Sequence, residues 1–419
     1  MSLAPYRTVL SLPGVLRLVL FSILARVPLT ASGVVMTLHV VTTLDLGYGA
    51  AGLVATASTA GMAIGAPWRG RAVDRVGLRR ALLPSIVAEA VVWSLAPFVG
   101  YTALLVLAFV GGLLGLPVFT VVRQSLSVLV PEDRRRTAFS LDSIGVELSF
   151  VLGPTVGVLV ATQVSTTVAL LGVGACMVVA GIALLVENPP TRSPALDPVT
   201  DLATDLATDP AGTPAAGGTA HAGVPAGRRA WFSPSLVLVL AASAAATVVL
   251  AGTDVSVVAH LRDDDAVGLT GLVFAAWAVG STAGALVYGA IDRPVPPLLL
   301  LAGLGLLTIP VGLAPGPVGL TLAIIPAGAL CAPVISATAE AVSRLVPEHA
   351  RGEAMGWHGS ALTAGTALGA PLAGAAIDAR GAGAGFAAVG VAGLGLALAG
   401  LSARQLRRRR RLALAASVS

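Results

Sequence analysis

Ionisable side chains interrupt runs that are otherwise apolar. Arg26, Arg123, Asp142, Glu147, Asp254 and His358 all lie in stretches dominated by Ala, Val, Leu and Gly, as do Glu89 and Glu340. An ionisable group near the centre of a bilayer costs ~2.5–3.5 kcal/mol on insertion scales, so each needs a partner or a task. The chemistry they offer is charge pairing and proton binding. A carboxylate beside arginine stays ionised, and one that loses that partner in an apolar setting takes up a proton. A histidine can titrate near neutral pH or serve as a structural donor. Other chemistries are missing. The chain has no lysine, so it has no phosphate-binding Gly-rich loop ending in Lys-Ser/Thr, and it shows no metal-ligand cluster and no nucleophile elbow. This points away from an enzyme, an ATP-driven pump, a metal site and any cofactor.

The elements that carry these groups are membrane spans. The 419 residues are 56% hydrophobic and 11% charged, against roughly 25% charged in soluble domains. So few charges cannot cover a water-soluble fold of this size, so the solvent is largely lipid. A span needs ~20 mostly apolar residues. Twelve are predicted: 16–41, 49–69, 81–99, 102–128, 138–161, 165–187, 235–259, 267–289, 297–314, 317–343, 353–376 and 383–402. The first is too long for a signal peptide. Cys176 and Cys331 both fall in apolar runs, which argues against a disulfide framework.

Every basic residue is arginine, and nearly all of them share one side of these spans. Arg7, Arg17, the cluster Arg69 to Arg80, Arg134 to Arg136, Arg192, Arg228, Arg229, Arg293, Arg344, Arg351 and the tail from Arg404 fall there, with only Arg262 and Arg380 opposite. The positive-inside rule makes that side cytoplasmic and places both termini there, as an even span count requires. Topology accounts for the pI near 10.0 without a nucleic-acid partner. Residues 188–233 contain Asn188-Pro-Pro, the tandem Asp201-Leu-Ala-Thr-Asp205-Leu-Ala-Thr-Asp209 and Gly/Ala/Pro-rich sequence. They read as a disordered linker between residues 1–187 and 234–403, with 404–419 an Arg-rich tail. Trp231-Phe232 reads as an interfacial anchor for the seventh span.

The chain also repeats itself. Pro117-Val-Phe-Thr-Val-Val-Arg-Gln-Ser-Leu-Ser-Val-Leu-Val-Pro131-Glu132 returns as Pro333-Val-Ile-Ser-Ala-Thr-Ala-Glu-Ala-Val-Ser-Arg-Leu-Val-Pro347-Glu348. At the same offset Arg135 aligns with Arg351, and Gly153 with Gly369. A repeat of half the chain in so apolar a sequence implies two homologous membrane halves.

Between the second and third spans stands Gly70-Arg-Ala-Val-Asp74-Arg75-Val-Gly77-Leu-Arg79-Arg80. This resembles the signature loop of the major facilitator superfamily, and a degenerate copy, Gly289-Ala-Ile-Asp292-Arg293, follows in the second half. The resemblance implies twelve transmembrane helices in a 6+6 all-α bundle that rocks about a central cavity. It assigns Gly70, Asp74, Arg75, Gly77, Arg79 and Arg80 to a cytoplasmic gate. Asp74 is expected to meet the N-terminus of the eleventh span, where the helix dipole is positive. The paired Pro-Glu-x-x-Arg segments add Glu132, Arg135, Glu348 and Arg351 to the gate, beside their ordinary role in helix capping.

In the fifth span Ser149, Gly153 and Gly157 recur every four residues, a small-residue face for close packing, with Pro154 available as a bend. Gly153-Pro154-Thr-Val-Gly157 partly matches the antiporter motif of bacterial drug/proton exporters in the superfamily and departs from it at Val158. By family architecture Arg26 and Glu147 face each other across spans 1 and 5, either as a coupling pair or as a permanent ion pair. Arg123, Asp142, Asp254 and His358 are further coupling or cavity candidates. The resemblance implies a monomeric secondary transporter in a bacterial inner membrane, exchanging protons for a small amphipathic compound. Proton-coupled uptake or sugar efflux, and a non-transporting membrane sensor, are the alternatives.

Overall fold

The computed structural model describes the backbone of residues 4–191, 231–291 and 295–416, and their side chains except those of 48, 49 and the residues after 405. All its regular elements are helical. Lipid leaves no other partner for backbone N–H and C=O groups, so apolar runs satisfy themselves by winding. The helices are α1 (Ala4–Leu10), α2 (Val15–Thr42), α3 (Tyr48–Val76), α4 (Leu78–Leu95), α5 (Tyr101–Leu114), α6 (Val118–Leu129), α7 (Arg135–Gln163) and α8 (Thr166–Glu187). After the gap follow α9 (Pro234–Asp263), α10 (Thr270–Ala290), α11 (Pro297–Thr308), α12 (Gly316–Leu345), α13 (Arg351–Arg380) and α14 (Ala382–Ala416). Two starts are capped: Ser165 accepts from the Val168 amide at 3.1 Å and Ser233 from Leu236 at 3.2 Å.

Among the described residues, 11 helical stretches are long and apolar enough to cross a membrane. The expected ninth span is the exception. α11 ends at Thr308 and tightens into a 3₁₀ turn over Ile309–Leu313. Pro310 cannot donate to the helix ladder, and the whole stretch, Pro297–Leu313, is a shorter apolar helix. The fourth span is broken in two, α5 and α6, around Gly115-Leu116-Pro117. The signature segment proves to be helix, not loop: α3 runs to Val76, and the turn is Gly77 alone, at φ 79°. Only glycine holds that backbone without strain. α1 was not anticipated, and α14 continues through the arginine run that reads as a tail. The proposed linker lies largely outside the described residues, as do Asp292 and Arg293.

Buried apolar residues form two clusters. One spans Val9 to Leu184, and the other Ala242 to Ala397. The first cluster also takes in Ala339, Val342, Val346, Ala350, Ala354 and Met355, from the Arg-rich ends of α12 and α13. Large apolar side chains such as Leu24, Ile64 and Leu313 are exposed outside, as a lipid-facing surface requires. Trp231 is buried instead of lipid-facing, and Phe232 stacks edge-on against Trp357 at 5.9 Å. This pair therefore anchors α9 to protein, not to the interface.

Candidate functional site

The stripe of small residues on α7 sets its distance from α2. A Cβ added at Gly153 would collide with Thr30 and the Val27 carbonyl, and one at Gly157 would come within 2.8 Å of Val35. Thr30 donates to the Ser149 carbonyl at 2.7 Å. Pro154 lies inside an unbroken α7. That close approach brings the middle of α2 against α7 and sets up the first charge cluster.

Arg26 meets Asp142, not Glu147. Arg26 Nη2 lies 2.7 Å from Asp142 Oδ1, and Arg123 Nε donates to Asp142 Oδ2 at 3.1 Å. Arg26 and Asp142 are 0% and 1% exposed. Arg26 also stacks over the Phe119 ring, 4.6 Å from its centroid. Arg123 Nη1 donates to His358 Nδ1 at 3.3 Å, and His358 Nε2 lies 3.0 Å from Thr338 Oγ1. Four of the residues singled out from sequence, Arg26, Arg123, Asp142 and His358, thus form one buried chain from α2 to α13. The expected Arg26–Glu147 pair does not form because the two acids point different ways. Asp142 and Glu147 are five residues apart, about 140° around a helix of 3.6 residues per turn.

Glu147 faces α10, where Ser281 Oγ donates to its Oε1 at 2.6 Å. Asp254 on α9 and Cys331 on α12 are close enough to Glu147 to interact with it electrostatically. This second cluster joins α7 to the helices after the gap at mid-depth.

At the Arg-rich end Asp74 behaves as expected. It accepts from the amides of Gly352 at 3.0 Å and Glu353 at 2.7 Å, the first turn of α13. Free amides and the positive end of the helix dipole both favour a carboxylate there. Gly70 and Gly352 make the approach possible: a Cβ on Gly70 would strike the Gly352 carbonyl, and one on Gly352 would strike Asp74. Two partners were missed from sequence. Arg71 grips Glu353 through both Nε, at 2.9 Å, and Nη2, at 2.5 Å. Gln124, fully buried, donates through Nε2 to Asp74 at 2.9 Å and to the Thr191 carbonyl at 3.2 Å.

The other gate candidates divide. Glu132 reaches Arg344 at 3.7 Å, and Arg344 also holds Glu340 at 2.7 Å. Arg351 points to Ser127 Oγ at 3.5 Å, with Glu348, Asp74 and Glu132 near enough to attract it. Arg135 donates to its own turn, at the Val130 carbonyl. Arg79 donates to the Leu185 carbonyl, while Arg75 and Arg80 are exposed. On the opposite flank Thr137 donates to the Gly289 carbonyl at 2.6 Å and Arg136 to that of Ile291. Tyr6 of α1 donates to the carbonyls of Ala285 and Leu286, at 2.9 and 2.7 Å. Burial pushes its phenol up to about 12, so it stays a donor.

Glu89 and Arg69 explain the break in the fourth span. Glu89 Oε1 accepts from the Leu116 amide at 3.0 Å and its Oε2 from Trp93 Nε1 at 2.5 Å. Arg69 donates to the carbonyls of Gly112 and Gly115, at 3.1 and 2.5 Å. The Leu116 amide and the Gly112 and Gly115 carbonyls beside the break therefore each find a charged side chain of suitable sign.

Long apolar helices, buried charge chains and a lipid-facing outer surface define a multi-pass membrane protein. The family model of the Major Facilitator Superfamily matches residues 18–314 and 255–417. The chain belongs to that superfamily, whose members are transporters and not enzymes. Solved structures of the same fold include the human organic anion transporter MFSD10, at 17% identity and TM-score 0.66, over 92% of this chain and 98% of that one. A bacterial homologue of the iron transporter ferroportin, in an outward-facing state, gives 14% and 0.68 over 92% and 97%. The proton:xylose symporter XylE gives 14% and 0.67 over 92% and 94%. No curated protein matches the sequence significantly.

Proposed function

We propose that this chain is a secondary active transporter that exports a small amphipathic compound in exchange for protons. Two six-helix bundles, residues 1–187 and 234–403, alternate access between the two sides of a bacterial inner membrane. The shorter apolar helix counts as the twelfth crossing, both termini are cytoplasmic, and the working unit is a monomer. One observation carries the reading. Among the described residues, the hydrogen bonds and ion pairs between the two sets of helices lie in the Arg-rich half or at the middle. Ser360 to the Ala63 carbonyl and Ser281 to Glu147 are the furthest from the Arg-rich end. A seal on one side alone is what alternating access asks of an outward-facing state.

Glu147 is the coupling residue in this reading. It sits where the bundles meet, and Asp254 on the other bundle repels it. The Ser281 hydroxyl can donate or accept, so Glu147 keeps this hydrogen bond with or without its proton. Arg26 and Asp142 serve instead as a fixed charge pair that supports the site. Export rests on the Gly153-Pro154-Thr-Val-Gly157 segment; the same geometry serves uptake if substrate and proton travel together. The test is proton flux in proteoliposomes loaded with a pH dye and challenged with a panel of amphipathic compounds. An active compound should drive proton movement in the parent, and Glu147→Gln should abolish it with expression unchanged. Undiminished coupling in that variant refutes the assignment.

A further inference from the structure

His358 occupies a position whose chemistry the proposed cycle does not yet use. Its ring lies between Arg123 of α6 and Thr338 of α12, and it is 1% exposed. A guanidinium only donates. The contact from Arg123 Nη1 to Nδ1, at 3.3 Å, therefore requires an unprotonated Nδ1. The ring proton is then on Nε2 and is donated to Thr338 Oγ1 at 3.0 Å. The ring is neutral in this state, and both its nitrogens are engaged.

We infer that His358 is a proton-operated latch: binding a proton at Nδ1 releases the contact with Arg123 and opens the Arg-rich seal between the bundles. The only free place for a second proton is the atom that Arg123 holds. Protonation turns that acceptor into a donor and sets two cations face to face where neither is more than 5% exposed. Asp142 offers no relief, because its two oxygens already serve Arg26 and Arg123. Two guanidiniums against one carboxylate leave this cluster positive before any proton arrives.

Among the described residues no hydrogen bond or ion pair links an acid to the ring, and Glu340 of α12, two residues from Thr338, is held by Arg344 and Arg136. Arg123 is the charged group that bears on the ring. From α3, Asp74 and Arg71 engage the first turn of α13, at Gly352 and Glu353, more than a helical turn from His358. α9 meets α13 through Thr247 and the Leu362 carbonyl, and α14 meets it around Ile377 and Gly385. Arg123 and His358 belong to opposite bundles, so their separation is a separation of the bundles at the Arg-rich end. The inference deepens the alternating-access reading and rests on it.

Ser336 reports the opening. It is 1% exposed and touches Ser143 of the other bundle at 2.8 Å. The protein carries Ser336→Cys, with Cys176→Ser and Cys331→Ala removing the native thiols, and is held in nanodiscs. Its reaction with a water-soluble maleimide is timed at about pH 8 and about pH 5.5, on either side of the ordinary histidine range. Each rate is divided by that of the denatured protein, which removes the pH dependence of the thiol itself. The latch predicts a rise of about tenfold on acidification in the parent. His358→Gln keeps an acceptor for Arg123 and a donor for Thr338, and should react slowly at both pH values. His358→Arg should react fast at both. A parent rate indifferent to pH, or a rise that survives in His358→Gln, overturns the latch. If His358→Arg does not fold, the other two proteins still decide. A cysteine that reacts at equal rate in the parent and His358→Gln at both pH values removes the latch and leaves alternating access standing. One that reacts in no protein at either pH removes both.

Discussion

Replacing Asp142 by Asn tests the charge count of the buried cluster. The carboxylate serves two guanidiniums at 2.7 and 3.1 Å. Asn keeps one acceptor for one arginine and turns an N–H₂ donor toward the other. Removing one partner of a buried ion pair costs ~3–5 kcal/mol, mostly because the remaining charge is left without compensation. Here two are left, so Asp142→Asn should fall at the upper end of that range. Arg26→Gln is the informative control. It leaves Asp142 balanced by Arg123, so its cost reduces to the lost stack on Phe119 and lost packing, about 2 kcal/mol or less. The assay is reversible unfolding in mixed micelles, read by fluorescence, for the parent, both single variants and the double variant. A coupling of at least about 1 kcal/mol is expected between the two sites, since they touch. The reasoning fails if Arg26→Gln costs as much as Asp142→Asn, or if Asp142→Asn costs less than about 1 kcal/mol.

Two further outcomes follow, one from the contacts at the Arg-rich end and one from the break in the fourth span. Gly352→Ala places a methyl against Asp74 and the Gly70 carbonyl; overpacking of about 1–3 kcal/mol should fall on the sealed state alone. The Ser336 cysteine should then react about tenfold faster or more at neutral pH, and an unchanged rate counts against the glycine contact as the limit on closure. Glu89→Gln keeps an acceptor for the Leu116 amide but removes the charge opposite Arg69, costing about 1–3 kcal/mol. Its melting temperature should drop and backbone amide exchange around Leu116 should quicken; unaltered exchange there means the break is held by other contacts.

Much of this architecture was legible because lipid narrows the choices. Residues 16–41 wind as Val15–Thr42, and Asp74 meets the first turn of α13, because an apolar run and an acid beside a helix start each have one good solution. The pairing of Arg26 was misread, although the clue was present. Extending the Ser149, Gly153 and Gly157 stripe backward by four and then three residues reaches Gly145 and Asp142, both buried against α2. Glu147 falls off that face. The break in the fourth span was less readable, since Gly115 and Pro117 gain meaning only from Glu89 and Arg69, which other helices deliver. Arg71 was passed over because its partner, Glu353, lies 282 residues away.

The amide of Gln124 has one further consequence. Its nitrogen is shared between Asp74, which grips the start of α13, and the carbonyl of Thr191, the last described residue before the gap. The tether that leaves toward α9 is therefore held, at Thr191, by the same nitrogen that holds Asp74. A load applied at Thr191 therefore reaches Gln124 and, through it, Asp74, as well as the backbone of α8. A cargo fused within the tether, or a protease that cuts it beside Thr191, changes the load on the seal without touching a transmembrane residue.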